Sequence, residues 1–202
     1  MALRQCVQIK LNDLIDSYGI SKNNFNIVHM NMRSLRKKFW KARRAYNPDI
    51  IEICLSETFL YPNEHGRYIL PNYTFVGDSR HTRCGGAGIY VRSGLALRTV
   101  PVSLGGAGSL AMRFEDAGKG SLCVICIYCK PSSDAGVFLD SLELLLHSCG
   151  LKSTGDLNIA ISKHSNISQK YLNITSQYNF HHLITVPIPA SHHTPKPALI
   201  TC

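Results

Sequence analysis

Residues 25–60 read FNIVHMNMRSLRKKFWKARRAYNPDIIEICLSETFL, and the fold is decided by this stretch. FNIVHM is an apolar run of strand length. SLRKKFWKARRAY, opened by Ser34, has the composition of a helix, and after Pro48 the β-branched run DIIEICLS returns to strand. A strand, a helix and a second strand within so short a span form a β-α-β opening, which asks for a sheet with a helix laid on one face. Upstream, Leu3, Val7, Leu11, Leu14, Ile15 and Tyr18 recur at steps of three and four and stop at Gly19, which predicts a leading helix within residues 1–24.

Downstream the punctuation changes. From Tyr73 to Tyr128 the segments TFVGD, GIYVRS, LALRTVPV, SLAMRFE and SLCVICIY are short strands separated by glycines, the pattern of a meander. Ala135 to His147 carries Val137, Leu139, Leu142, Leu144, Leu145 and Leu146 with no Gly or Pro after Gly136, so it predicts a helix packed on a sheet and closed by Gly150. A strand in TGDLNIAI and a helix over Ser168–Gln177 follow. Helices framing a strand-rich middle predict two packed, mainly antiparallel sheets flanked by helices, over residues 25–186. Residues 187–202, crowded with Pro and His, read as an irregular tail.

The chain has 202 residues, 45% of them hydrophobic and 17% charged, which is globular composition for one domain. No apolar run approaches the ~20 residues of a membrane helix. The N-terminus interrupts its apolar positions with charges, unlike a secretory signal, so the expected location is intracellular. The 22 Lys and Arg against 13 acids give a formal charge of +9, which favours a polyanionic partner. Arg33, Arg36, Lys37, Lys38, Lys41, Arg43 and Arg44 crowd into twelve residues, a candidate DNA-binding surface, although a solvated helix face has the same composition. Of the eight cysteines, Cys123, Cys126 and Cys129 have C-x2-C-x2-C spacing. Alternation along a strand turns Cys126 away from the other two, so reduced thiols are expected rather than a metal cluster. The glycine clusters at 85–91 and 105–111 match no phosphate-loop pattern and read as turns between strands.

Residues suited to phosphoryl chemistry lie at the ends of these strands. Glu57 closes an apolar strand, where a carboxylate beside a polar cleft suits a hard cation. Asp156 and Asn158 place an acid and an amide two residues apart, on one face of an extended backbone; an Asx-turn pair has the same spacing. Asn31 follows the first strand, and Tyr128 ends a later one just before Lys130 and Pro131.

In that order, NIVHMNMRSLRKKF, PDIIEICLSETFL, GGAGIYV, VICIYCKPSS and GDLNIA resemble the endonuclease domain of non-LTR retrotransposons, over about residues 26–186. That domain belongs to the endonuclease/exonuclease/phosphatase superfamily, with DNase I and the AP endonucleases. The resemblance implies a four-layer α/β sandwich and Mg²⁺-dependent hydrolysis of DNA, with Mn²⁺ as the alternative ion. It implies nicking of chromosomal DNA in the nucleus, ahead of a reverse transcriptase in a longer protein. By the same resemblance Glu57 binds the metal, Asn31 helps to place the phosphate, and the Tyr128 hydroxyl approaches it. Asp156 orients or deprotonates the attacking water and Asn158 holds the phosphate group. Two departures stand out. The family's terminal Asp-His pair is missing, since Ser191-His192-His193 has no aspartate, so the sandwich is expected to be incomplete at its C-terminal strand. LKST ahead of Gly155 is not the family's hydrophobic run, so a shortened strand is expected there. The alternative reading is accordingly a non-catalytic relic or fragment that still binds nucleic acid.

Overall fold

The structure is a computed structural model. It describes residues 26–44, 50–78, 85–116, 120–130, 132–148, 151–156, 165–178 and 198–201. The predicted leading helix, Asn158 and most of the Pro/His-rich tail lie outside these residues.

The β-α-β opening forms as expected. Strand β1 (Asn26–Asn31) leads into helix α1 (Leu35–Arg44) and returns as β2 (Glu52–Ser56), parallel to β1 with Asn31 opposite Ser56. A 3-10 helix (Pro62–Arg67) precedes β3 (Tyr73–Gly77) and β4 (Ala87–Arg92). These are followed by β5 (Leu97–Val100), β6 (Gly108–Asp116), β7 (Gly120–Tyr128), α2 (Ala135–Ser148), β8 (Leu151–Asp156), α3 (Asn166–Gln177) and β9 (Ala198–Thr201). One sheet has the order β3-β4-β2-β1-β9 and the other β5-β6-β7-β8. Only the β1/β2 and β7/β8 pairings are parallel among the described strands.

Three apolar layers separate four structural ones. Val28, Met30, Ile53 and Leu55 pack under α1 through Leu35 and Ala42. Ile27, Cys54, Ile89 and Val91 meet Met112, Phe114, Val124 and Cys126 between the sheets. Cys123, Ile125 and Ile127 turn the other way, onto Phe138, Leu139 and Leu142 of α2 and Ile174 of α3. The period-two alternation of strand side chains thus places Cys126 in a different layer from Cys123 and Cys129. Among the described cysteines, these three and Cys54 are buried thiols outside any disulfide.

Three expectations are corrected. The run from Tyr73 to Tyr128 is not one meander: β3 and β4 join β2 in the first sheet, and β5 to β7 build the second. Partner choice here is non-local and is set by which face each strand can bury. LKST does not shorten its strand, because β8 registers with β7 along its whole length, from Leu151 opposite Cys123 to Asp156 opposite Tyr128. Backbone ladder bonds, which need no apolar side chains, carry that pairing. The irregular reading of residues 187–202 fails at their end, where Ala198–Thr201 forms β9 and pairs antiparallel with the free edge of β1. Among the described residues no helix is long and apolar enough to cross a membrane.

Candidate active site

Parallel strands β1 and β2 end side by side, and the backbone beyond them zips together. Met32 N–H donates to the Ser56 carbonyl at 2.9 Å, Ser34 N–H to Glu57 at 2.8 Å and Leu35 N–H to Thr58 at 2.9 Å. Ser34, which opens α1, has φ +89° with its N–H held by the Glu57 carbonyl. Four of the five described non-glycine residues with positive φ lie in these two turns: Arg33, Ser34, Glu57 and Phe59. Such conformations cost roughly 1–3 kcal/mol each and persist where surrounding bonds over-determine them, typically at functional sites.

That framework presents Asn31 and Glu57 to one another. Asn31 Nδ2 donates to Glu57 Oε1 at 2.8 Å, while Arg33 N–H donates to Asn31 Oδ1 at 3.1 Å. Both ends of the amide are engaged, so its orientation is set and with it that of the carboxylate. Electrostatically the site opens onto α1. The Lys38 ammonium is made easier to deprotonate, chiefly by partial burial and then by Arg33 and Lys37, and the Glu57 carboxylate opposes this.

The other sheet reaches the same place through glycine. Tyr128 closes β7 and is buried, and a Cβ added to Gly85 would lie 2.5 Å from Tyr128 Cε1 and 3.7 Å from Lys130 Cε. Gly85 has φ +85° and accepts from Phe59 N–H at 3.0 Å, two residues beyond Glu57. Gly86 accepts from Thr58 N–H at 3.3 Å, and a Cβ there would meet Thr58 Oγ1 at 2.7 Å. Two bare backbones therefore bridge Tyr128 to the Glu57 turn. The sequence reading took this glycine pair for a turn between strands. Its role as a spacer was missed, as was the position of Lys130 beside it. The available signal was two adjacent glycines just ahead of an apolar strand, which marks a close backbone approach as readily as a turn.

Asn31, Glu57 and Tyr128 are thus assembled at one edge of the sandwich. The Asp156 backbone ends β8 opposite Tyr128, and β8 runs close to β1 and β2 across the sheets. Its side chain and the whole of Asn158 fall outside the described residues. Of the basic cluster, Arg33, Lys37 and Arg43 are exposed and Lys38 and Lys41 half-buried, while the Arg44 side chain is not described. Arg36 is engaged within the protein: it pairs with Glu64 at 2.9 Å and donates to the Phe59 carbonyl at 3.4 Å.

The residues present are compatible with a divalent ion. Among the described residues no cluster of three or more His, Cys, Asp or Glu could cage a metal. Mg²⁺ does not require such a cage, because it uses one or two carboxylates, keeps several waters and takes phosphate oxygens as further ligands. Glu57, with Oε1 steadied by Asn31, is a carboxylate of that kind.

No family profile and no curated protein matches the chain. Solved structures do. The endonuclease domain of TRAS1, a telomere-specific non-LTR retrotransposon, is 13% identical with a TM-score of 0.60, over 79% of this chain and 75% of that one. The 3'-5' exonuclease NExo from Neisseria meningitidis is 19% identical with a TM-score of 0.54, over 75% and 71%. An AP endonuclease from Archaeoglobus fulgidus is 18% identical with a TM-score of 0.50, over 76% and 70%.

Proposed function

We propose that this chain, which has the fold of the endonuclease/exonuclease/phosphatase superfamily, hydrolyses phosphodiester bonds of DNA as the nicking endonuclease of a retrotransposon. The observation that carries the reading is the assembly of Asn31, Glu57 and Tyr128 at one edge, with Asn31 Nδ2 2.8 Å from Glu57 Oε1. In-line displacement at phosphorus needs a positioned water and donors on the oxygens where charge grows. Asp156 takes a proton from the attacking water, whose oxygen bonds to phosphorus as the bond to O3′ breaks. The departing O3′ gains a proton and becomes the 3′-hydroxyl of a primer. The Tyr128 hydroxyl and the Asn158 amide donate to the phosphate oxygens, and Asn31 keeps Glu57 in place. Glu57 would hold a divalent ion, Mg²⁺ or alternatively Mn²⁺, which when bound would supply positive charge to those oxygens. The exposed cations of α1 hold the flanking phosphates, and the likeness to a retrotransposon domain makes a reverse transcriptase the expected partner in a longer protein, acting in the nucleus.

The test is supercoiled plasmid incubated with the protein in Mg²⁺. Relaxed circles should accumulate, chelator should prevent them, and Glu57→Gln should lower the rate at least a hundredfold. Nicking that survives both chelator and Glu57→Gln would overturn the reading. The second reading is a non-catalytic relic or fragment that still binds nucleic acid; plasmid binding with no nicking in either ion would establish it.

A further inference from the structure

The cationic helix carries an aromatic group that the proposed chemistry leaves unused. One flank of α1 is anchored: Arg36 to Glu64, and Phe39 edge-on to Tyr68 with ring centroids 5.4 Å apart. Lys37 precedes, and Trp40 and Lys41 follow, a break in the helix at Lys38 (φ −128°, ψ 19°), and Lys37 and Trp40 are both exposed. Trp40 is 47% exposed, with the Lys41 ammonium 5.4 Å over its ring. Between Arg33 and Arg44 there is no carboxylate at all. The cations crowd one another, since Lys38 is disfavoured by Arg33 and Lys37, and Lys41 by Lys38, beyond the larger effect of partial burial on each. An anion relieves all of these repulsions.

What distinguishes this surface from a plain phosphate-binding face is the indole. Duplex DNA offers phosphates outward and keeps its base faces stacked, so an aromatic plane gains little from it. An unpaired strand offers both, and stacking of a base on an aromatic side chain adds to the phosphate contacts. The spacing also suits a strand leaving the site. Arg33 is bonded to Asn31, and Trp40 lies five residues beyond the start of the helix, within reach of a strand leaving that edge. We propose that Trp40, flanked by Lys37 and Lys41, is a stacking platform for an unpaired base of single-stranded DNA running from the Asn31–Glu57 edge along α1. The proposal rests on the nuclease reading for its choice of DNA, and it extends that reading to a substrate or product with a frayed strand.

Trp40 is the single tryptophan of the chain, so its emission reports this position alone. The full-length protein is titrated with a 12-nucleotide DNA strand, with the same sequence as a blunt duplex, with the corresponding RNA strand, and with heparin. The DNA strand should quench Trp40 emission at least twofold, with little change from duplex or heparin at saturation. Trp40→Phe should keep the affinity for the strand within about threefold, and Trp40→Ala should lose about tenfold for the strand while duplex affinity is unchanged. Equal quenching by duplex or heparin, equal loss of strand and duplex affinity in Trp40→Ala, or quenching by RNA but not DNA would overturn the proposal. Nicking by the parent separates the two readings. Nicking by the parent without strand-selective quenching defeats the platform alone, and strand-selective quenching in a parent that never nicks defeats the nuclease reading alone.

Discussion

Glycine 85 shows how much of this site depends on a missing side chain. Its φ of +85° is left-handed, and an added Cβ would lie 2.5 Å from the Tyr128 ring. Gly85→Ala therefore strains the backbone and displaces the tyrosine together. We expect a loss of about 1–3 kcal/mol in urea unfolding and a nicking rate at least tenfold lower. Gly94 is the control: it has φ +88° with open space around it, so Gly94→Ala should cost about 1 kcal/mol and leave nicking unchanged. If both variants nick like the parent, the Gly85 contact does not position Tyr128. Of the residues singled out by sequence, Asn31 and Glu57 were legible because each ends an apolar run. Their mutual hydrogen bond was not legible, since 26 positions separate them and two left-handed turns bring them together.

Among the elements, α1 divides into a structural and a solvent-facing part that composition alone does not separate. Arg36 and Lys37 are adjacent and chemically alike in sequence. Only Arg36 reaches Glu64, whose buried carboxylate also accepts from Tyr61 N–H at 3.0 Å. Removing Arg36 leaves that carboxylate short of a partner, so Arg36→Ala should cost about 1–2 kcal/mol of stability. Lys37→Ala should cost less than about 0.5 kcal/mol, yet reduce the slope of log affinity against log salt for DNA by about one. Salt titrations and urea curves on both variants check this, and the reverse assignment of effects would refute it. The same limit applied to the strands. Each was legible from its own residues, but β3 and β4 were grouped with the wrong sheet because pairing with β2 is a long-range choice. Strand β8 was undervalued because its ladder with β7 does not register in its side-chain pattern.

At the level of the whole molecule, the layer between the two sheets contains a polar residue that sequence patterning cannot rationalise. Glu52 is fully buried on β2, between Ile27 and Val91 in register, and apart from the nearby Cys54 thiol neither carboxyl oxygen has a hydrogen-bond partner among the described residues. Burial raises its pKa to about 8, and the nearby Cys54 thiol only partly offsets this. The Cys54 thiol is itself held protonated by burial and by contact with Cys126. The sign follows from linkage. Below the ordinary carboxyl range both folded and unfolded chains hold the Glu52 proton. As pH rises toward 8 the unfolded chain releases it first, so stability falls by up to about 1.4 kcal/mol per pH unit, and the decline levels off above 8. Urea unfolding between pH 5 and 8 should show this decline in the parent and a shallower one in Glu52→Leu. Parallel curves would mean that Glu52 is charged or paired in the fold. The division between sequence and structure follows the range of the forces involved. The chain by itself determined the strand and helix segments, the alternation that parts Cys126 from its neighbours, the excess of positive charge and the residues equipped for phosphodiester chemistry, because these depend on local periodicity and composition. Only the tertiary structure decided which strands share a sheet, that Gly85 bridges Tyr128 to the Glu57 turn, that Arg36 is engaged within the protein while Trp40 is exposed, and that a carboxyl lies in the dry layer. Each of these depends on which distant backbone ends up alongside, and that is settled by the burial of whole faces at once.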